Sequence, residues 1–144
     1  MKLENNTVFD CNVIDFSKVD TEDGNITVVQ NDGSLPFDIK RVYYLYDIPA
    51  GEMRGGHAHY KLEQFIIASS GSFDVIIDDG NFRKRINLNR PNLALHIKPG
   101  LWRELDNFAS GSICMVLASH KYVESDYIRD YNQFIIEKTG ENAH

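Results

Sequence analysis

Between Arg41 and Ala118 the chain breaks repeatedly into short runs of β-branched and aromatic residues, each stopped by a turn signal. Arg41-Val42-Tyr43-Tyr44-Leu45-Tyr46-Asp47-Ile48 ends at Pro49-Ala50-Gly51, and Phe65-Ile66-Ile67-Ala68 ends at Ser69-Ser70-Gly71. Ser72-Phe73-Asp74-Val75-Ile76-Ile77 runs into Asp78-Asp79-Gly80-Asn81, where Asp-Gly signals a hairpin because glycine accepts positive φ at little cost. Phe82 to Leu88 stops at Asn89-Arg90-Pro91-Asn92, Leu93 to Ile97 stops at Lys98-Pro99-Gly100, and Ser112 to Ala118 closes the series. Strands of this length with turns between them predict an all-β, antiparallel barrel or sandwich. On the first run, alternation places Arg41 and Tyr43 on one face and Val42, Tyr44 and Tyr46 on the other. Tyr44 and Tyr46 are expected in the barrel core.

The tail follows a different period. Tyr127, Ile128, Tyr131, Phe134 and Ile135 make a helical stripe, with Ser125 as N-cap, Asp126 in the first turn and Gly140 beyond the end. This C-terminal helix is expected to lay its aromatic face on the barrel or on a second subunit.

With 144 residues, 42% of them hydrophobic and 25% charged, the chain reads as a single globular domain over residues 1–144. It is large enough to bury a core without a disulfide or metal staple. Cys11 and Cys114 stand in no metal or redox spacing, and Cys114 lies in the apolar run Ile113-Cys114-Met115-Val116-Leu117, as an inert buried thiol would. A formal charge of -6 argues against a nucleic-acid binder but leaves room for a local basic cleft for a small anion. The one basic run, Arg83-Lys84-Arg85, reads as a solvated strand face. No stretch approaches the roughly 18 apolar residues of a membrane helix, and the polar start Met1 to Asn6 lacks a signal-peptide core. No membrane association and a cytoplasmic location are expected.

The segment with chemistry in it is Gly51-Glu52-Met53-Arg54-Gly55-Gly56-His57-Ala58-His59. On an extended chain His57 and His59 project to the same side, and the glycines before them allow a tight turn or a close ligand approach. An isolated histidine is most often a hydrogen-bonded core or surface residue. A pair aimed into one cavity can hold a metal or work as acid and base.

From Gly51 to Gly71 the chain resembles the first motif of the cupin superfamily, with Gly51, His57, His59 and Gly71 in register and Gln64 at the metal-binding glutamate position. Glu63, one residue earlier, points to the opposite strand face. Pro99-Gly100-Leu101-Trp102-Arg103-Glu104 resembles the second motif, with Glu104 at the third histidine's position in strict register and Arg103 beside it. His57, His59 and Glu104 are the one metal set that remains, and a site without metal is expected. A closer resemblance spans roughly residues 37 to 132: Ile39 to Tyr44, Arg54-Gly55-Gly56-His57-Ala58-His59, Leu62-Glu63-Gln64, Val75 to Gly80, Met115 to Ser119 and Asp126-Tyr127-Ile128-Arg129. In this order they resemble the nucleotide-sugar 3,4-ketoisomerases, cupin (RmlC-like) jelly-roll barrels that act on dTDP-4-oxo-6-deoxy-glucose in making amino-deoxy sugars for surface glycans.

That resemblance implies a dTDP-linked keto-deoxy sugar as substrate, no cofactor and no nucleic-acid partner. It also implies a homodimer, in which the polar stretch before Phe37 exchanges a strand. It assigns His59 as the base, with His57 as the second acid/base or an orienting group. Arg54 either supports the enediolate or grips the diphosphate, Tyr43 hydrogen-bonds the sugar, and Gln64 completes the substrate contacts. Arg41 either charges the cavity or is a solvated edge residue. Trp102 either stacks on the ligand or fills the barrel mouth. Arg103 stands where the family tends to carry histidine. The alternatives are a sugar-nucleotide-binding module without catalysis, a cupin 3,5-epimerase, and a metal-dependent cupin enzyme. The turn at Asp20 to Asn25 is expected to border the site.

Overall fold

The computed structural model describes residues 1–140. Two five-stranded antiparallel sheets form its body. The first contains β1 (Asn12–Asp15), β4 (Arg41–Leu45), β6 (Gln64–Ser70), β9 (Leu93–Ile97) and β11 (Ile113–Ala118), in the order β1-β9-β6-β11-β4. The second contains β5 (Arg54–His59), β7 (Phe73–Asp78), β8 (Arg83–Leu88), β10 (Trp102–Asp106) and β12 (Tyr127–Ile128), in the order β12-β5-β10-β7-β8. A hairpin of β2 (Val19–Thr21) and β3 (Gly24–Ile26) stands apart from both.

Alternation along the strands sets the layers. On β6, Ile66 and Ala68 face the space between the sheets, where they meet Val75, Ile77, Leu95, Leu105 and Val116 in the main core. Phe65 and Ile67 face the other way and lie beneath residues of the N-terminal segment. Phe37 stacks on Phe65 with centroids 4.5 Å apart, and Phe16 meets the same ring edge-on at 5.1 Å. The expected β7–β8 hairpin forms, with Asp78 opposite Arg83. Asp79 holds its turn by accepting the Asn81 and Phe82 amides, and its second oxygen accepts the Val8 amide. Arg83 and Arg85 of the basic run are exposed and paired, with Asp78 and with both Asp74 and Asp106 respectively. Both cysteines are buried and free, and burial pushes the Cys114 thiol up to about 12. No helix among the described residues is long and apolar enough to cross a membrane.

Two expectations need correction. The helix α1 runs only over Tyr131–Thr139; Asp130, not Ser125, caps it, accepting the Gln133 amide at 2.9 Å. Tyr127 and Ile128 are an edge strand opposite His59 and Ala58. The cause is Asp126, whose carboxylate accepts the Lys61 and Leu62 amides and ties the chain to the end of β5 before any helix can start. The helix ends as expected at Gly140, in the left-handed region with φ 75°. It packs Phe134 on Trp102 and Ala58, on the outer face of the second sheet. Tyr44 and Tyr46, expected in the core, are each 60% exposed. With Val42 they occupy the outer face of edge strand β4 and its continuation, which no described segment covers.

Candidate active site

The Gly-rich approach to β5 does what its sequence predicts. Gly55 has φ 75° and lies against the Arg103 guanidinium, while a Cβ on Gly56 would touch the Trp102 ring. Beyond them His57 and His59 face inward and Ala58 faces the helix. Antiparallel pairing sets Arg103 opposite His57 and Trp102 opposite Ala58. Arg103 therefore points inward with the histidines, and Trp102 and Glu104 point out. Trp102 packs 5.3 Å from Tyr131 and donates its indole N–H to Glu104, which also meets Arg83 at 3.7 Å. This removes Trp102 from the ligand-contacting set and Glu104 from any shared metal set. Gln64, 1% exposed, is sealed in the interior, its Oε1 without a protein donor, and does not line the cavity.

A cavity of about 620 Å³ opens over this end of the barrel. Arg41, Tyr43, Arg54, His57 and Arg103 of the expected residues line it. Tyr122, Tyr127 and Arg129 line it as well and were not expected there. Four arginines thus face one cleft in a chain of net charge -6. The signal for Tyr127 and Arg129 was their place in the Asp126-Tyr127-Ile128-Arg129 motif, hidden by the apparent helical period.

At the cavity's inner end the polar atoms are tightly arranged. His57 Nε2 and His59 Nε2 are 3.0 Å apart, with the rings nearly perpendicular at 88°. Arg103 Nε donates to His57 Nε2 at 3.2 Å, and its Nη2 reaches the Tyr43 hydroxyl at 3.5 Å. Tyr127 lies against both imidazoles, 4.3 Å from His59 and 5.0 Å from His57 between centroids. Arg41 donates to the Tyr127 hydroxyl at 3.3 Å, and the Arg129 guanidinium lies 4.3 Å over the Tyr127 ring. Arg129 is held there by two hydrogen bonds of 2.9 Å to Glu124, which also accepts from the Tyr122 hydroxyl. Arg41 Nε and Arg103 Nη1 are buried without a protein acceptor, so both guanidiniums keep uncommitted donors.

Burial first, then the Arg103 charge, drives the His57 pKa far below the ordinary imidazole value. Burial lowers His59 too, but Asp126, 3.5 Å from its Nδ1, opposes that shift. Asp126 itself is held below the usual carboxylate range: burial works to raise it, and the His59 ring and two backbone amides outweigh that. The donor set does not suit a metal. A guanidinium sits against the ring nitrogen a cation would need, Gln64 offers an amide, Glu104 faces away, and the described residues hold no cluster of three or more His, Cys, Asp or Glu placed for one.

Known proteins resemble this chain in sequence and in fold. Residues 9–139 match the family described as WxcM-like, C-terminal. The chain is 44% identical over 122 residues to the TDP-4-oxo-6-deoxy-alpha-D-glucose-3,4-oxoisomerase of Aneurinibacillus thermoaerophilus, covering 85% of this chain and 88% of that one. It superposes on a 3,4-ketoisomerase from Helicobacter canadensis with a TM-score of 0.84 at 42% identity, over 88% of this chain and 95% of the other. It also superposes on a histidine-to-asparagine variant of the Thermoanaerobacterium thermosaccharolyticum 3,4-ketoisomerase in complex with TDP-4-keto-6-deoxyglucose. There the TM-score is 0.89 at 36% identity, over 93% of this chain and 97% of the other. With its antiparallel cupin barrel and paired inward histidines, the chain belongs to the WxcM-like family.

Proposed function

We propose that this chain is a nucleotide-sugar 3,4-ketoisomerase acting on TDP-4-oxo-6-deoxy-glucose. The observation that carries the reading is the Arg103–His57–His59 contact at the inner end of a cavity lined by arginines. Moving the ketone from C4 to C3 needs a proton taken from C3, an enediolate, and a proton returned to C4. Oxidation and reduction cancel within the sugar, so the reaction requires no redox cofactor. The base that takes the C3 proton is assigned to His59, whose Nδ1 lies 3.5 Å from Asp126, with His57, which lines the cavity, as the second acid/base or the group that orients the oxygens. His57 Nε2 accepts from Arg103, so neutral His57 carries its proton on Nδ1 and can donate it to a substrate oxygen. A base held neutral by burial is ready to accept a proton. The charge His59 then acquires is supported by Asp126 beside its Nδ1. Arg103 and Tyr43 supply donors for the enediolate oxygens, where preorganised dipoles lower the barrier most. Arg41, Arg54 and Arg129 supply charge for the diphosphate.

The site works without a metal, and the protein works in the cytoplasm, where a charged sugar nucleotide is available. It acts as a homodimer: Val42, Tyr44 and Tyr46 expose an apolar face along an edge strand, and Val19 and Ile26 are more than half exposed on a hairpin paired with nothing else. Incubation of purified protein with TDP-4-oxo-6-deoxy-glucose should shift the ketone carbon signal from C4 to C3, at a rate unchanged by a chelator. Loss of turnover on chelation would reject the metal-free site, and an unchanged substrate would reject the isomerase.

A further inference from the structure

The outer wall of the cavity is built on a carboxylate that does not line it. Tyr122, Tyr127 and Arg129 line the cleft, and Glu124, between them on the chain, stands outside it. Glu124 Oε1 accepts Arg129 Nε at 2.9 Å and Oε2 accepts Arg129 Nη2 at 2.9 Å, a bidentate pair along one edge of the guanidinium. Oε2 also accepts the Tyr122 hydroxyl. An exposed ion pair is ordinarily worth little, because two long side chains must be ordered to make it. Here the surroundings supply much of that order. The Glu124 carbonyl accepts the Tyr127 amide, closing a single 3-10 turn over Glu124–Asp126, and Asp126 is tied to the end of β5. The Arg129 guanidinium rests over the Tyr127 ring, 4.3 Å from its centroid.

Glu124 takes Nε and Nη2 of Arg129, so Nη1 carries the donors that remain for a ligand in the cavity. Phosphate oxygens suit a guanidinium held in this way. A second arm runs through Tyr122. The Arg41 guanidinium lies over two rings, Tyr43 at 4.9 Å and Tyr122 at 5.7 Å, so the bond that fixes the Tyr122 hydroxyl also fixes a support of Arg41. We propose that Glu124 is a positioning residue: from outside the cavity it holds Arg129 directly and Arg41 through Tyr122, and so sets two cations for the diphosphate of a nucleotide sugar. The diphosphate rests on the ketoisomerase reading; the clamp rests on the contacts alone. Arg129, and after it the Tyr122 hydroxyl, hold the Glu124 carboxyl down at about 2, so the clamp is charged at neutral pH.

Glu124 touches neither histidine of the pair, so its loss should weaken binding and spare the chemistry. Calorimetry with TDP and kinetics with TDP-4-oxo-6-deoxy-glucose test this. In Glu124→Ala the Kd for TDP and the KM should both rise about tenfold, while kcat falls less than about threefold. Glu124→Gln, which can still accept one N–H, should lie between Glu124→Ala and wild type. With Arg129→Met already in place, adding Glu124→Ala should weaken TDP less than about threefold further, because most of its effect passes through the missing guanidinium. Glu124 is more than half exposed, so the unfolding midpoint should stay near that of wild type. Tighter TDP binding in Glu124→Ala would mean that the carboxylate competes with the ligand. An undiminished effect beside Arg129→Met would mean that it acts elsewhere. Either result overturns the proposal, as does a loss of kcat at unchanged KM, or a wild type that does not bind TDP. If the binding pattern holds and the sugar nucleotide is left unchanged, the ketoisomerase reading fails while the clamp stands.

Discussion

At the scale of single residues, the neighbours Arg103 and Glu104 decide what the site can be. In strict motif register Glu104 takes the third histidine's place. In the fold one step along a strand reverses the face, and it is Arg103 that enters the barrel against His57. A site that a metal's charge could have organised is organised by a guanidinium instead. The same residue helps to keep His57 neutral, with a measurable consequence. Both imidazoles titrate below their ordinary value in the folded chain, so the unfolded chain binds protons more readily. The stability their neutral forms contribute is complete above about pH 6.5 and is lost as the pH falls below it, by up to about 1.4 kcal/mol per pH unit for each histidine. Urea midpoints measured from about pH 7 to pH 5 should therefore fall less steeply for His57→Asn than for wild type. Parallel slopes would mean that His57 is protonated in the native state.

At the scale of elements, the six strand runs were legible because their apolar residues face a core and glycine or proline punctuates them. Trp102–Asp106 was not, since its inward face carries Arg103 beside Leu105 and alternation by polarity vanishes. Nor was β12, where an aromatic and an isoleucine continue the helix's period by coincidence while Asp126 ties them to β5. Trp102 shows the corresponding limit for the site: an aromatic in a cupin-like motif suggests a ligand platform, yet it belongs to the seam between β10 and α1. That seam supports β5 from behind, since Phe134 is fully buried against Trp102 and Ala58. Phe134→Ala should cost about 3 kcal/mol of stability, read as a lower urea midpoint, with KM for the sugar nucleotide nearly unchanged. A large rise in KM at unchanged stability would instead place the helix at the ligand.

At the scale of the molecule, charge and apolar surface are segregated. Arginines gather at one end of the barrel in an acidic chain, and aromatic side chains lie open along β4. A dimer covering that face should elute at about twice 16.5 kDa, and Tyr44→Lys with Tyr46→Lys should shift it toward the monomer. Elution of wild type as a monomer at micromolar concentration would contradict the dimer. The central claim, proton transfer by the His57–His59 pair between C3 and C4, is tested most directly by proton NMR of the product formed from TDP-4-oxo-6-deoxy-glucose in D2O. The account predicts a ketone at C3 and exchange with solvent confined to C3 and C4, with turnover lowered about 1000-fold in His59→Asn. A ketone that stays at C4 while C3 or C5 exchanges, or full turnover in His59→Asn, would contradict it.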